Sequence, residues 1–161
     1  MKRFITFFTL LALSVSALAQ SGKQLYSKYS DLPGMEAVYI SPAMFRIIGK
    51  IPDMEFNDKD VNFSSIIKSM TGFYVLNCSN AEIGEKLYAD VKKFIDSGKY
   101  ELLMEAKDNG EVVRMYTVGD EKTVNSFVLL ARQEDEVSYI SFDGKIDRQQ
   151  MENILATAAA D

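Results

Sequence analysis

The dipeptide Asn109-Gly110 separates "YELLMEAK" (100–107) from "EVVRMYTV" (111–118). Asn-Gly is the preferred centre of a type I′ hairpin turn, because both of its positions require positive φ. A turn there fixes which residues meet. Ala106 faces Val113, Met104 faces Met115 and Leu102 faces Thr117, which gathers the apolar side chains on one side. On the other side Glu105 faces Arg114, a favourable pair of opposite charges. A slip of one residue would destroy both patterns.

A second hairpin follows. "SFVLLAR" and "EVSYISFD" flank a turn at Glu134-Asp135. Phe127 then pairs with Phe142, Leu129 with Ile140, and Ala131 with Ser138. "FYVLNC" (73–78) and "EAVYIS" (36–41) are rich in aromatic and β-branched residues and read as two further strands.

Helices punctuate these strands. Ser21 to Tyr29 predicts a short helix with Leu25 and Tyr29 on one face. Ser41-Pro42 starts another, with Ser as N-cap and Pro at the first helical position, and Gly49 ends it. Ser64 to Met70 adds a helical turn. Ser79 and Glu82 match a capping box. Behind them Ile83, Leu87, Val91, Phe94 and Ile95 recur at helical spacing until Gly98, the clearest amphipathic helix of the chain.

"FDGKIDRQQMENIL" (142–155) admits two readings. Asp143 and Asp147 are either a metal-binding or catalytic pair, or the turn into a last helix. The helix reading accounts for more. Asp143-Gly144 ends the strand, and Asp147 caps the helix with Gln150 three residues on. Ile146 before the cap staples onto Met151, and Ile154, Leu155 and Ala158 continue the apolar stripe.

The N-terminus reads as an address. "MKRFITFFTLLALSVSALAQ" has a basic start, an apolar run and small residues at Ala17 and Ala19, as a signal peptide does (residues 1–19). The run is short of the about 20 residues that a membrane span needs. Losing Lys2 and Arg3 leaves 16 basic against 23 acidic residues, a net charge of −7. That balance argues against nucleic acid and against an anionic membrane surface. One cysteine, Cys78, excludes an internal disulfide. The chain has no histidine, the commonest general base and transition-metal ligand. Without one, Cys78 reads as a buried, inert thiol. Asp53, Glu55, Asp58 and Asp60 crowd one loop but lack the calcium-loop spacing, so they read as a solvated acidic segment. No phosphate-binding, dinucleotide-binding or nucleophile-elbow motif is present.

Three blocks resemble the family described as domain of unknown function 4252. They are "KYSDLPGMEAVYISPAMFRIIG", "YELLMEAKDNGEVVRMY" and "NSFVLLARQEDEVSYISFDGKID". The resemblance covers most of the chain after the signal. It implies a small exported α+β protein of Gram-negative envelopes, with some members beside sigma-factor systems. It implies no activity and no site. Relatives often look like lipoproteins, whereas this chain lacks the lipobox cysteine.

The expected fold is α+β in a single domain over 20–161. It is a mostly antiparallel sheet with two C-terminal hairpins and helices packed mainly on one face. The sheet face opposite the expected core carries Leu103, Tyr116, Val128, Leu130 and Tyr139, together with Glu105, Arg114, Arg132 and Ser141. Exposed, those residues form a partner face; covered by a helix, they are core. The expected function is a non-catalytic, exported (periplasmic) binding or interaction protein linked to envelope signalling. The alternative is a carrier of a small apolar ligand held between sheet and helices, and a small periplasmic enzyme stands third. No cofactor, metal site or nucleic-acid partner is expected, nor a transmembrane segment in the mature chain.

Overall fold

The computed structural model describes residues 22–48 and 63–158. The expected signal segment 1–19, Gly49 and the acidic loop with Asp53, Glu55, Asp58 and Asp60 lie outside the described residues. So do the side chains of Ile154, Leu155 and Ala158. In chain order the elements are α1 (Gly22–Tyr29), β1 (Met35–Ile40), α2 (Pro42–Ile48), α3 (Phe63–Ser69) and β2 (Met70–Cys78). Then come α4 (Ala81–Ser97), β3 (Glu101–Asp108), β4 (Glu111–Gly119), β5 (Thr123–Gln133), β6 (Glu136–Asp147) and α5 (Arg148–Ala158). The fold is α+β. Its six strands form one antiparallel sheet in the order β1-β2-β6-β5-β4-β3.

The Asn109-Gly110 turn forms, with φ of 47° and 92° at its two residues. Ala106 pairs with Val113, Glu105 with Arg114 and Met104 with Met115. The third expected apolar pair does not form. A bulge between Leu102 and Met104 adds a residue to β3, so Leu102 meets Tyr116 and Thr117 meets Glu101. In the second hairpin all three expected pairs are present: Phe127 with Phe142, Leu129 with Ile140 and Ala131 with Ser138. The last strand does not stop at Asp143-Gly144. β6 runs on to Asp147, with irregular pairing against both neighbours in that stretch.

Helix ends follow local chemistry. Asn80, rather than Ser79, caps α4, and its side-chain oxygen accepts the Ile83 N–H at 3.0 Å. Ser79 is drawn away, its backbone N–H and hydroxyl both donating to the Gly34 carbonyl. Asp147 accepts the Gln150 N–H at 3.0 Å and so caps α5. Ser41 accepts the Met44 N–H at the start of α2.

The main core lies between the sheet and two helices. α4 lays Leu87, Val91, Phe94 and Ile95 against Leu76, Val128, Leu130 and Tyr139, and α1 adds Leu25 and Tyr29. Each such side chain, fully buried, contributes about 1.5–3 kcal/mol. α1 is also tied to α4 by charge. The Tyr29 hydroxyl donates to Asp90 at 2.7 Å, and Lys28 pairs with the same carboxylate. Burial pushes the Asp90 carboxyl up, but the Lys28 and Tyr29 hydrogen bonds hold it below the usual carboxylate range. A second, smaller cluster closes one end of the sheet. There Ile66 of α3 and Met151 of α5 meet Val124 and Ile146, with Met70 and Phe142 at its edge. The helices therefore do not all serve one core: α1 and α4 cover one face, while α3 and α5 gather at an end.

Candidate functional site: the open face of the sheet

Strand side chains alternate between the two faces, so the pairing registers can be followed across the whole sheet. One line of direct partners reads Ala37, Leu76, Tyr139, Leu130, Arg114, Glu105. It lies under α4 and α1. Of the five residues expected as a partner face, Val128 and Leu130 sit side by side on β5 with Tyr116 and Tyr139 opposite them. Val128 and Tyr139 are 0 % exposed and Leu130 is 1 % exposed. Tyr116 packs half-buried against the same cluster. Leu103 stands apart, exposed at the bulge of β3. These residues are core rather than a free partner surface. The reason lies in α4, whose apolar stripe needs an apolar sheet face and takes this one.

The charged residues of this face are also engaged by α4. Arg114 donates to Glu105 at 2.6 Å and to the Tyr88 hydroxyl. Arg132 pairs with Glu85 and lies 5.2 Å over the Tyr88 ring. The Glu105 carboxyl is held below its usual range by hydrogen bonds from Lys107 and Arg114.

The same face holds a buried polar cluster. The Tyr100 hydroxyl donates to Ser126 at 2.9 Å. Burial raises the Asp143 carboxyl toward its neutral form, against a hydrogen bond from Ser126. Burial, and then the charge of Asp143, pushes the Tyr74 phenol up to about 12. Tyr139 is raised chiefly by burial as well. The Tyr139 and Ser141 hydroxyls are buried close to each other but form no well-aligned hydrogen bond with any described residue. Gly22, the first residue of α1, closes in these two hydroxyls. A Cβ there would lie 3.0 Å from Ser141 Oγ and 3.1 Å from the Tyr139 hydroxyl. The cluster has acid and base groups but no opening at Gly22 for a substrate. Asp143 belongs to it, whereas Asp147 caps α5, so the two aspartates form no pair. Among the described residues no group of three or more Cys, Asp or Glu is placed to hold a metal ion. The Cys78 thiol is 1 % exposed and donates to the Asn80 carbonyl.

The opposite face is organised differently. Its central line of direct partners is Val38, Val75, Ile140, Leu129, Met115, Met104. This is one unbroken apolar row across all six strands. At the usual strand spacing it measures about 24 Å. Sequence reading took this face for the core, yet Val38 is 50 % exposed and Met104 42 %. The four residues between them are half-buried. The row toward one end is Ile40, Phe73, Phe142, Phe127 and Thr117, and that end is closed. Phe127 stacks on Phe142 at 5.0 Å, Phe142 packs against the second cluster, and Thr117 is 1 % exposed.

Toward the other end the next row is Glu36, Asn77, Ser138, Ala131, Val113 and Ala106, with Glu136, Glu111 and Asp108 just beyond. Glu36, Asn77, Ser138 and Glu136 line a shallow depression of about 170 Å³, bordered by Cys78 and Ser79. Sequence reading missed these acids as a group. They come from four strands, and only the strand order brings them to one edge.

The model of the family described as Domain of unknown function (DUF4252) matches residues 29–154, and the chain belongs to that family. No curated protein and no solved structure matches it. Among the described residues no helix is long and apolar enough to cross a membrane.

Proposed function

We propose that this member of the domain of unknown function 4252 family is a non-catalytic, exported binding protein that engages a partner through the open face of its sheet. The observation that carries the reading is the row from Val38 to Met104, apolar at every strand and outside both buried clusters. Contiguous apolar surface of this kind marks interaction sites. The basic start, apolar run and small residues of 1–19 support export, and the family resemblance supports a place in envelope signalling.

The place where a carrier would hold its ligand, between sheet and helices, is filled by Leu76, Leu87, Val91 and Tyr139. Beside Gly22 the Tyr139 and Ser141 hydroxyls are closed in, with no room for even one added carbon. Both features favour the open face over an internal ligand or a reaction.

A photo-reactive amino acid at position 129, in the full chain in its native envelope, tests the reading. Cross-links to a partner are expected there. They should be absent from the same probe at exposed Lys92, on the α4 side, and should disappear when Val75→Glu is added. Cross-linking equal at both positions would overturn the proposal.

A further inference from the structure

The open face also indicates the charge of what it binds, an inference that rests on the binding role proposed above. On the helix side three strand cations are matched by acids: Arg114 and Lys107 by Glu105, and Arg132 by Glu85. Among the helix cations, Lys28 pairs with Asp90 and Lys86 with Glu82. The open face has the opposite character. Among the described residues its strand positions carry no Lys or Arg. Apart from Glu101 beside Thr117 at the closed end, its acids are Glu36, Asp108, Glu111 and Glu136, which have no ion-pair partner among the described residues. They stand along one edge of the apolar row, with Glu36 and Glu136 in the same depression.

We propose that the occupant is a polypeptide segment of another protein, apolar along one side and carrying Lys or Arg where it overlies Glu36 and Glu136. Charge complementarity sets the sign, because like charges across an interface cost several kcal/mol while opposite ones steer association. A second copy of this chain fits poorly, for two reasons. Two sheets stacked with strands aligned have two ways to be related by a two-fold axis. An axis along the strands brings both acidic edges together. An axis across the strands sets the open half of one copy on the end of the other that Phe142 and Phe127 already close. Area argues the same way. The row and one neighbouring row cover roughly 300 Å² at normal strand and residue spacing, well short of the about 800 Å² per partner of a standard stable interface. A segment about 24 Å long fits; as a helix it has about 16 residues.

The test uses two synthetic 16-residue amphipathic helical peptides with the same Leu/Ala stripe, one with Lys and one with Glu on the flanks. Binding to the full chain is followed by fluorescence anisotropy at low and moderate salt. The Lys peptide is expected to bind at least tenfold more tightly than the Glu peptide, and to weaken as salt rises. The double variant Glu36→Gln/Glu136→Gln should lose most of that preference. Neutralising two acids elsewhere, Glu82→Gln/Glu121→Gln, should preserve it. Leu129→Glu should abolish binding of the Lys peptide while leaving the circular dichroism spectrum unchanged. Equal binding of both peptides, with Leu129→Glu still abolishing it, would overturn the charge inference and leave the binding face standing. Binding indifferent to Leu129→Glu would overturn the charge inference and the binding face together. So would no binding of either peptide, or a stable dimer in light scattering that Val75→Glu dissociates.

Discussion

Leu129 and Leu130 are consecutive on β5 and chemically identical, yet they stand on opposite faces of the sheet. Leu130 is 1 % exposed, within the core cluster beneath α4 and α1. Leu129 is half-buried in the open row, against Ile140 and Met115. Truncating Leu130 to Ala removes three buried heavy atoms and leaves a cavity that the packed helices cannot close. The expected cost is about 3–4 kcal/mol, within the range of buried Leu→Ala changes. Truncating Leu129 removes the same atoms from a surface that water already reaches, so about 1 kcal/mol is lost. Urea unfolding of the full chain, followed by circular dichroism, separates these outcomes. With a slope of about 2 kcal/mol per molar, typical for a domain of this size, Leu130→Ala lowers the midpoint by about 1.5–2 M and Leu129→Ala by about 0.5 M. The slopes should match wild type. Equal costs, or a larger cost at Leu129, would mean that the open face is covered and that the assignment of core and surface is reversed.

Tyr139→Phe removes a buried hydroxyl without a well-aligned hydrogen bond and should raise stability by about 1 kcal/mol in thermal unfolding; a loss of that size would reveal a bound partner. Asp143 has a folded pKa raised by burial. Its contribution is therefore present below the unfolded carboxyl pKa and lost as pH rises through the folded one. Asp143→Asn should gain on wild type as melting is measured from acid toward neutral pH, and a gain that shrinks with pH would contradict the assignment. At Gly119 a Cβ would fall 2.0 Å from the Thr123 carbonyl oxygen. Gly119→Ala must displace backbone and should cost about 2–3 kcal/mol by urea unfolding, and a cost below 0.5 kcal/mol would refute that contact. Asp147→Ala should cost about 1 kcal/mol, the usual loss of an N-cap, with Asp147→Asn retaining most of it; calcium should shift neither melting curve.

The turns and strands were legible because short-range chemistry decides them. Asn109-Gly110 set its own register, and the 127–142, 129–140 and 131–138 pairs followed from apolar alternation about a turn. Which face is the core was not legible. Alternation of period two separates two sets of residues, and here both sets are apolar. Met104, Met115 and Leu129 look as core-like as Tyr116, Val128 and Leu130. Only α4 decides between them, and nothing local on the strands says where α4 will lie. The bulge at Leu102–Met104 was equally silent, because the extra residue is another leucine. Asn80 displaced Ser79 as a cap because Ser79 is held by Gly34, a contact 45 positions away. The acidic edge needed the strand order: Glu36 and Glu136 are a hundred residues apart in the chain and neighbours in one depression.

The bulge in β3 has a consequence for the molecule at high concentration. β3 is an outer strand, exposed along its whole length, and Leu102, Leu103 and Met104 follow its first residue, Glu101. A straight apolar outer strand is a template on which further chains add by backbone hydrogen bonds, and repetition of that step builds a filament. The extra residue twists the strand where its side chains are most apolar. An incoming chain then finds aligned donors and acceptors only from Met104 to Asp108, where Glu105 and Lys107 intervene. At the far side β1 is six residues long and is followed after one residue by Pro42, which has no N–H to offer. Both outer strands are thus poor seeds for polymerisation, so an open apolar face can persist on a chain that stays dispersed.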